Sequence, residues 1–312
     1  MASGKSMSKN KRSGQIFFWT MVILPLVQFC IFYVGVNFNS IILAFKSYEN
    51  HTGVIVQDWV GFENFQTILH DWNTSLLLKT AVKNTFKYLA IDILIIMPAT
   101  MLFAYYIYKN FALSNLFKVL IFAPSIICIM VLVIFFKGFM EDAVSQVIYK
   151  TTGTYIESMF LKRKYAFYPL TIFYIMFGFS GNILIYLNAI SNISTSMLEA
   201  ATIDGASEFK IFIQIVLPSI YKTCVSLLVI SVSAIGSNQA YLHSFYGSSN
   251  APEYARTLGY HLFDLVATSG VDGDNPTQYP IASAYGLVIT FIVAPVTLTM
   301  RWLLNKYGPS ED

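Results

Sequence analysis

Charged side chains fall along this chain in clusters, and long apolar stretches separate them. Gln15–Phe45, Val119–Phe136, Tyr165–Leu198, Thr223–Pro252 and Asn275–Met300 contain no Asp, Glu, Lys or Arg, and Tyr88–Tyr108 contains a single one, Asp92. A bilayer core about 30 Å thick takes about 20 apolar residues in helical form, so each stretch can supply one crossing. The pattern predicts an all-α membrane protein with six transmembrane helices over about 15–45, 86–108, 119–137, 165–190, 219–243 and 281–304. Residues 15–312 then form one transmembrane domain behind a basic tail, 1–14, whose start has no apolar face to bury and is expected to be irregular.

Composition agrees with this pattern. Of 312 residues, 55% are hydrophobic and 12% charged, about half the charge of a soluble domain. Lys5, Lys9, Lys11 and Arg12 precede the first apolar run, but the run continues to Phe45 without a small-residue cleavage pattern, so it reads as an uncleaved helix rather than a signal peptide. Lys and Arg total ten on each side of this topology, so the expectation that both termini are cytoplasmic rests on those four residues and on Lys109 and Lys118 in a short connection, because short flanks weigh most. The net charge of +3 is too small and dispersed for nucleic-acid binding. Cys30, Cys128 and Cys224 lack metal or redox spacing and are expected to be packing residues. Neither the four histidines, His51, His70, His243 and His261, nor any paired carboxylates form the pattern of an intramembrane enzyme. Gly4-Lys5-Ser6 lacks the leading glycine and strand of a phosphate-binding loop.

Four polar features stand out between and within the spans. The segment Lys46–Lys87 carries Trp59, Phe62, Phe65 and Trp72, rings suited to the headgroup region. Lys79, Lys83 and Lys87 recur every four residues and form one charged helix face, read here as an exposed stripe with a binding patch as the alternative. Asp92 is an ionisable group inside a span, the one candidate for proton or ion coupling. Asp272-Gly273-Asp274-Asn275 looks like part of a calcium loop but lacks the later glutamate, and reads as a turn.

Between the fourth and fifth spans, the loop 191–218 parses as two short helices. Ser196 and Glu199 have the spacing of a capping box. Asp204-Gly205 supplies a left-handed turn, and Phe209, Phe212, Ile213 and Val216 then form an apolar stripe opposite Glu208 and Lys210. Pro218 ends the pattern and can open the next helix. Periodicity leaves three uses open for such a helical loop: lying on the membrane, packing on its own bundle, or docking into a partner.

Glu199-Ala200-Ala201, Gly205, and Ile215-x-Leu217-Pro218 match the fixed positions of the EAA motif. On these residues the chain resembles the permease subunits of binding-protein-dependent ABC importers, and with Asp204-Gly205-Ala206 it resembles their carbohydrate-uptake, maltose-permease-like branch. Val60-Gly-Phe-Glu-Asn-Phe65, Phe122-Ala-Pro-Ser125, Ile235-Gly-Ser-Asn-Gln239 and Ala282–Leu287 are similar to further family segments. Leu242 departs from a commonly acidic position, and Gly247-Ser-Ser-Asn-Ala-Pro252 replaces a Gly-Gly-Pro-like turn.

The resemblance implies a type I ABC importer permease fold in the bacterial cytoplasmic membrane, with cytoplasmic coupling helices between helices 4 and 5. It implies as partners a second permease, expected to be a different chain, a dimer of ATPase subunits and an extracellular solute-binding protein. No cofactor is expected on this chain, since ATP and magnesium would sit on the ATPase subunits. Glu199, Ala200, Ala201, Asp204, Gly205, Ile215, Leu217 and Pro218 would couple to the ATPase. A carbohydrate path is expected along Tyr174, Gly178, Gly181 and Asn182 in the fourth span, and Ser231, Ala234, Asn238, Gln239 and Tyr241 in the fifth. Aromatic faces and amides suit sugars, although small residues also serve close helix packing. Two alternatives stay open: an ABC permease for a non-sugar solute, and an ion-coupled secondary transporter using Asp92.

Overall fold

The structure is a computed structural model that describes residues 4–51, 54–154, 156, 158–271 and 278–309. The Asp272–Asn275 turn lies outside the described residues. Helix α1 (Ser13–Leu43) is already helical from Gly4, so the expected irregular start of the tail is not seen from that residue onward. An antiparallel hairpin follows, β1 (Lys46–His51) and β2 (Val54–Trp59), with Lys46 opposite Trp59. Phe45 stacks on Trp59 and meets Phe62 and Phe65 edge-on or tilted, fastening the hairpin to α2 (Glu63–Thr74). Asn64 completes the joint by donating to the Ala44 and Lys46 carbonyls at 2.9 and 2.8 Å.

Helix α3 (Leu76–Tyr108) begins ten residues before the predicted span, because the Ser75 side chain caps it by accepting from the Leu78 amide. Then come α4 (Ser114–Ile126), α5 (Ile129–Thr152), α6 (Phe167–Ser191), α7 (Thr195–Ile203), α8 (Glu208–Ser219), α9 (Tyr221–Gly236), α10 (Leu242–Tyr246), α11 (Leu258–Val271) and α12 (Gln278–Tyr307). Among the described residues four helices, α1, α3, α6 and α12, are long and apolar enough to cross a membrane. Two bent pairs, α4–α5 and α8–α9, raise that number to as many as six.

The bends correct the expectation of straight spans. At Ile127 and Cys128 the backbone turns extended, with ψ of 139° and 131°, and α5 departs from α4 by 107°. Every neighbour there is apolar, so hydropathy alone could not mark the break. The fifth span, expected over 219–243, is helical only from Tyr221 to Gly236, and Ala240 and Tyr241 then adopt left-handed φ of 49° and 60° before α10.

Proline shapes the continuous helices more gently. Pro98 and Pro218 lack an amide donor, and a proline ring crowds the carbonyl four residues earlier. In both places the ladder widens just before the ring: the Met97 amide reaches back five residues to the Asp92 carbonyl, and the Leu217 amide to the Phe212 carbonyl. These are π turns, which satisfy the backbone inside a span without breaking it.

Two buried clusters anchor opposite ends of the molecule. At one end Met101, Tyr105, Ile183, Tyr186, Ile211, Phe212, Val216 and Leu227 join α3, α6, α8 and α9. At the other, Val133, Phe160, Phe173, Leu242, Phe245 and Tyr260 join α5, α6, α10 and α11. Cys224 packs in the first cluster near Met101, but Cys30 and Cys128 are exposed, so only one of the three cysteines fills a core. The apolar stretch of α1 is not buried by the rest of the chain at all.

Close packing is backbone against backbone where α11 meets the turn after α9. A Cβ added to Gly259 would lie 2.6 Å from the Asn238 carbonyl oxygen, whereas one added to Gly286 meets nothing within 4 Å. Gly259→Ala should therefore lower stability by about 1–3 kcal/mol, and Gly286→Ala should leave it nearly unchanged, as read by thermal unfolding of the two detergent-solubilised variants.

Candidate functional site

Two places gather chemistry that plain helix packing does not need. The first lies where α3, α6 and the turn after α9 meet. Asn238 Nδ2 donates to the Tyr174 hydroxyl at 2.7 Å, and that hydroxyl donates to Asp92 Oδ2 at 2.8 Å. The relay therefore joins three residues singled out in the sequence, including the intramembrane carboxylate. Tyr88 and Tyr241 flank the Tyr174 ring at 4.8 and 5.9 Å.

The position of Asn238 has a local cause. It follows α9 rather than lying on it, so the helical spacing expected for Ser231, Ala234 and Asn238 does not hold. Its own Oδ1 accepts from the Ala240 amide, which stabilises the left-handed turn, while its carbonyl accepts from Thr257 Oγ1 at 3.0 Å. Thr85 adds a second tie by accepting from the Leu258 amide. The Asn238 carbonyl left open after α9 is thus satisfied by Thr257, just before α11, and the first amide of α11 by Thr85 of α3.

Ser231 and Asn238 line a small space with Thr85, Tyr88, Leu89, Asp92 and Ile235, and its volume is about 10 Å³. That holds one water at most, so this conformation is shut to a larger solute. Gly178 is a packing position, since a Cβ there would lie 2.6 Å from Ile96 Cδ1. Gly181 differs: it is exposed and a Cβ there meets nothing within 4 Å, so close packing does not require it. Asn182, Ala234 and Gln239 are half-buried.

The second place is the 191–218 loop. Helix α7 starts after Ser194, not Ser196, and the Ser194 and Ser196 hydroxyls share a hydrogen bond of 2.7 Å instead of forming the expected capping box. Gly205 has φ +76°, as Asp204-Gly205 implied, and the Ala206 amide returns to the Ala201 carbonyl at 3.0 Å to close the turn. The apolar stripe after it is rotated from its expected position. Ile211, Phe212 and Val216 are buried, while Phe209 is 73% exposed and Ile213 is exposed.

This rotation gives the loop two sides. Leu198, Ala201, Ala206, Ile215 and Leu217 face the bundle core, while Glu199, Ala200, Asp204, Gly205 and Pro218 are exposed, with Ile203 85% exposed among them. A contact the sequence reading missed ties the loop to α3. Tyr105 donates to Glu208 Oε2 at 2.5 Å, and Lys109 Nζ lies 3.2 Å from the same carboxylate. Glu208 looked like a solvated face because its partners lie about a hundred residues away in sequence. The Tyr105 hydroxyl, and then Lys109, hold its carboxyl below the ordinary range. The tie is therefore complete at neutral pH and is lost only as pH falls through that lowered value. Being nearly half exposed, it is worth about 0.2–1 kcal/mol.

Comparison with known proteins follows the same lines. A family model described as "binding-protein-dependent transport system inner membrane component" matches residues 96–310. The chain belongs to this family. It is thus a multi-pass component of a binding-protein-dependent transport system, and residues 96–310 contain both the loop and the Tyr174–Asn238 pair. It is 28% identical to the polygalacturonan/rhamnogalacturonan transport system permease protein YteP of Bacillus subtilis, over 92% of this chain and 88% of that one. To the multiple sugar-binding transport system permease protein MsmF of Streptococcus mutans it is 23% identical, over 96% and 99%. In fold it matches a chain of a bacterial ABC transporter involved in the import of the acidic polysaccharide alginate, with TM-score 0.74 and 19% identity over 98% of this chain and 100% of that one.

Tyr174→Phe keeps the ring packing but leaves the Asp92 carboxylate and the Asn238 amide without their shared partner. It should lower stability by about 1–2 kcal/mol, measured by thermal unfolding, whereas Tyr168→Phe, at an exposed ring of the same helix, should not.

Proposed function

We propose that this chain is the transmembrane permease subunit of an ATP-driven importer that moves a sugar or oligosaccharide into the cytoplasm by alternating access. The observation that carries the reading is the two-sided loop 191–218, with its inner side locked into the α3–α6–α9 core and its outer side offering Glu199, Ala200, Ile203 and Phe209, within a chain of the binding-protein-dependent family. A helical element fixed on one side and apolar on the other suits docking into a partner groove. Here that partner is an ATPase subunit, which binds ATP and magnesium.

On this reading α7 and α8 are coupling helices, the bent pair α4–α5 is one span and α9 with the turn after it is another to give six, and both termini lie with the loop in the cytoplasm. A second permease covers the exposed apolar helices, and an extracellular solute-binding protein delivers the cargo to the opposite end. The sugar assignment draws on relatives whose names specify sugar transport, over most of their length. Tyr174, Asn238, Tyr241 and Ser231, with Gly181, Asn182, Ala234 and Gln239 near them, then form part of the path, closed at Asp92–Tyr174–Asn238 in this conformation.

Motion at the loop reaches the relay through helices rather than flexible chain. Tyr105 and Lys109, which hold Glu208, lie on α3, as does Asp92. When the ATPase pair closes, displacement of α8 moves α3 as a body and changes the spacing between Asp92 and Tyr174.

The test is copurification of the tagged chain from its native membrane. An ATPase subunit and a second permease should come down with the wild type. Gly205→Val, which opposes the left-handed φ without meeting a steric neighbour, should lose the ATPase while retaining the second permease. A chain that purifies alone in several mild detergents, or a valine variant that holds the ATPase equally well, overturns the reading.

A further inference from the structure

The stripe of lysines on α3 has a destination. Lys83 and Lys87 line a cavity of about 230 Å³ together with Thr80, Asn84, Arg163 and the rings of Phe167 and Tyr254. Lys79, one turn earlier, is not part of it and donates instead to the Asn73 carbonyl. Two lysines four residues apart stand side by side on a helix face, and Arg163 approaches from the segment before α6. No carboxylate lines the cavity. Among the described residues no ion pair is formed by Lys83, Lys87 or Arg163.

The walls are built rather than accidental. Asn84 donates to the Tyr254 and Arg256 carbonyls at 2.9 and 3.0 Å, which fixes the 254–256 segment against α3. Tyr254 in turn donates to the Leu161 carbonyl, which ties that segment to the turn carrying Arg163. Arg256 is held by a 2.8 Å pair with Asp264 and by the Ala251 and Ser249 carbonyls, so its charge is already neutralised on the far side. Lys87 lies over the Phe167 ring at 4.7 Å, which orients its ammonium at the mouth. Phe167 also opens a helix of 25 residues, whose N-terminal end adds partial positive charge. A cleft with charge of one sign focuses the field and concentrates counter-ions.

We propose that this cavity binds the carboxylate of an acidic sugar, so that the cargo of the importer is a uronate-containing oligosaccharide. The inference rests on the carbohydrate reading above and narrows it. Three cations supply the carboxylate partners, and the Phe167 and Tyr254 rings supply apolar faces for a sugar ring. The volume lies below the range of about 300–1,000 Å³ usual for drug-sized ligands, so it takes one sugar unit rather than a chain. Lys87 and the Glu208 tie lie at opposite ends of α3, about 30 Å apart at the helical rise per residue. The cavity therefore opens on the side away from the ATPase loop, where cargo arrives, and it collects the acidic unit ahead of the closed relay.

The probe is labelled digalacturonate, with the neutral digalactoside as its counterpart. Both are applied by equilibrium dialysis to the complete membrane complex in nanodiscs without its solute-binding protein. Digalacturonate should bind, more weakly at high salt, and the neutral disaccharide should not. Lys83→Gln/Arg163→Gln, two substitutions at exposed positions, should weaken digalacturonate at least about tenfold, as expected for losing two charge-assisted contacts. Equal binding of the neutral disaccharide, no binding of digalacturonate, or unchanged affinity in the double variant each overturns the proposal. So does a double variant that loses only its affinity for the solute-binding protein, which would make the cations a protein contact. Uptake by the full importer in proteoliposomes separates the two levels: import of neutral oligosaccharides without acidic ones sinks this inference alone, and import of neither sinks the carbohydrate reading.

Discussion

Backbone amides and carbonyls inside a bilayer find no water, so every departure from regular helix needs a partner supplied by the protein itself. The architecture is organised around meeting that demand. Pro98 and Pro218 shift the ladder by one residue instead of leaving it open. The turn after α9 is closed by the Asn238 and Thr257 side chains, and Thr85 satisfies the amide that opens α11. Because these breaks can exist only where they are covered, they are also the places where polar side chains converge.

The long apolar helices and the left-handed glycine were legible in the sequence, because each depends on local patterning. Charge-free runs mark long helices, and Asp204-Gly205 marks a turn, whatever surrounds them. What was not legible depends on partners distant in sequence. Glu208 looks like a solvated face until α8 is laid against Tyr105 and Lys109. Phe209 and Phe212 are alike in the sequence, yet one is exposed and the other buried, because the π turn over Phe212–Val216 rotates the face that meets the core.

Candidate path residues divide for a similar reason. Gly178 and Gly181 look alike in a helical stripe, but Ile96 fills the space beside the first and nothing occupies that beside the second. Tyr174 and Asn238 were found by spacing along helices, although Asn238 is not on a helix but in the turn that follows one. Asp92 does lie on its expected helix, and its carboxylate accepts the Tyr174 hydroxyl and completes a network linking α3 to α6.

Helix α3 carries Lys83 and Lys87 near one end, Asp92 in its middle and Lys109 just past the other. It is a lever with a soft point, because the π turn over Asp92–Ile96 is where its hydrogen-bond ladder is least regular. From that turn to Lys109 the arm is about 20 Å long, so a tilt of about 5° displaces its tip by about 2 Å. A tip displacement of that size is enough to part the contacts of Tyr105 and Lys109 with Glu208, while Asp92, at the fulcrum, stays against Tyr174 unless α3 shifts as a whole. The relay at the centre of α3 therefore answers to a shift of the whole helix and not to a small bend of one end.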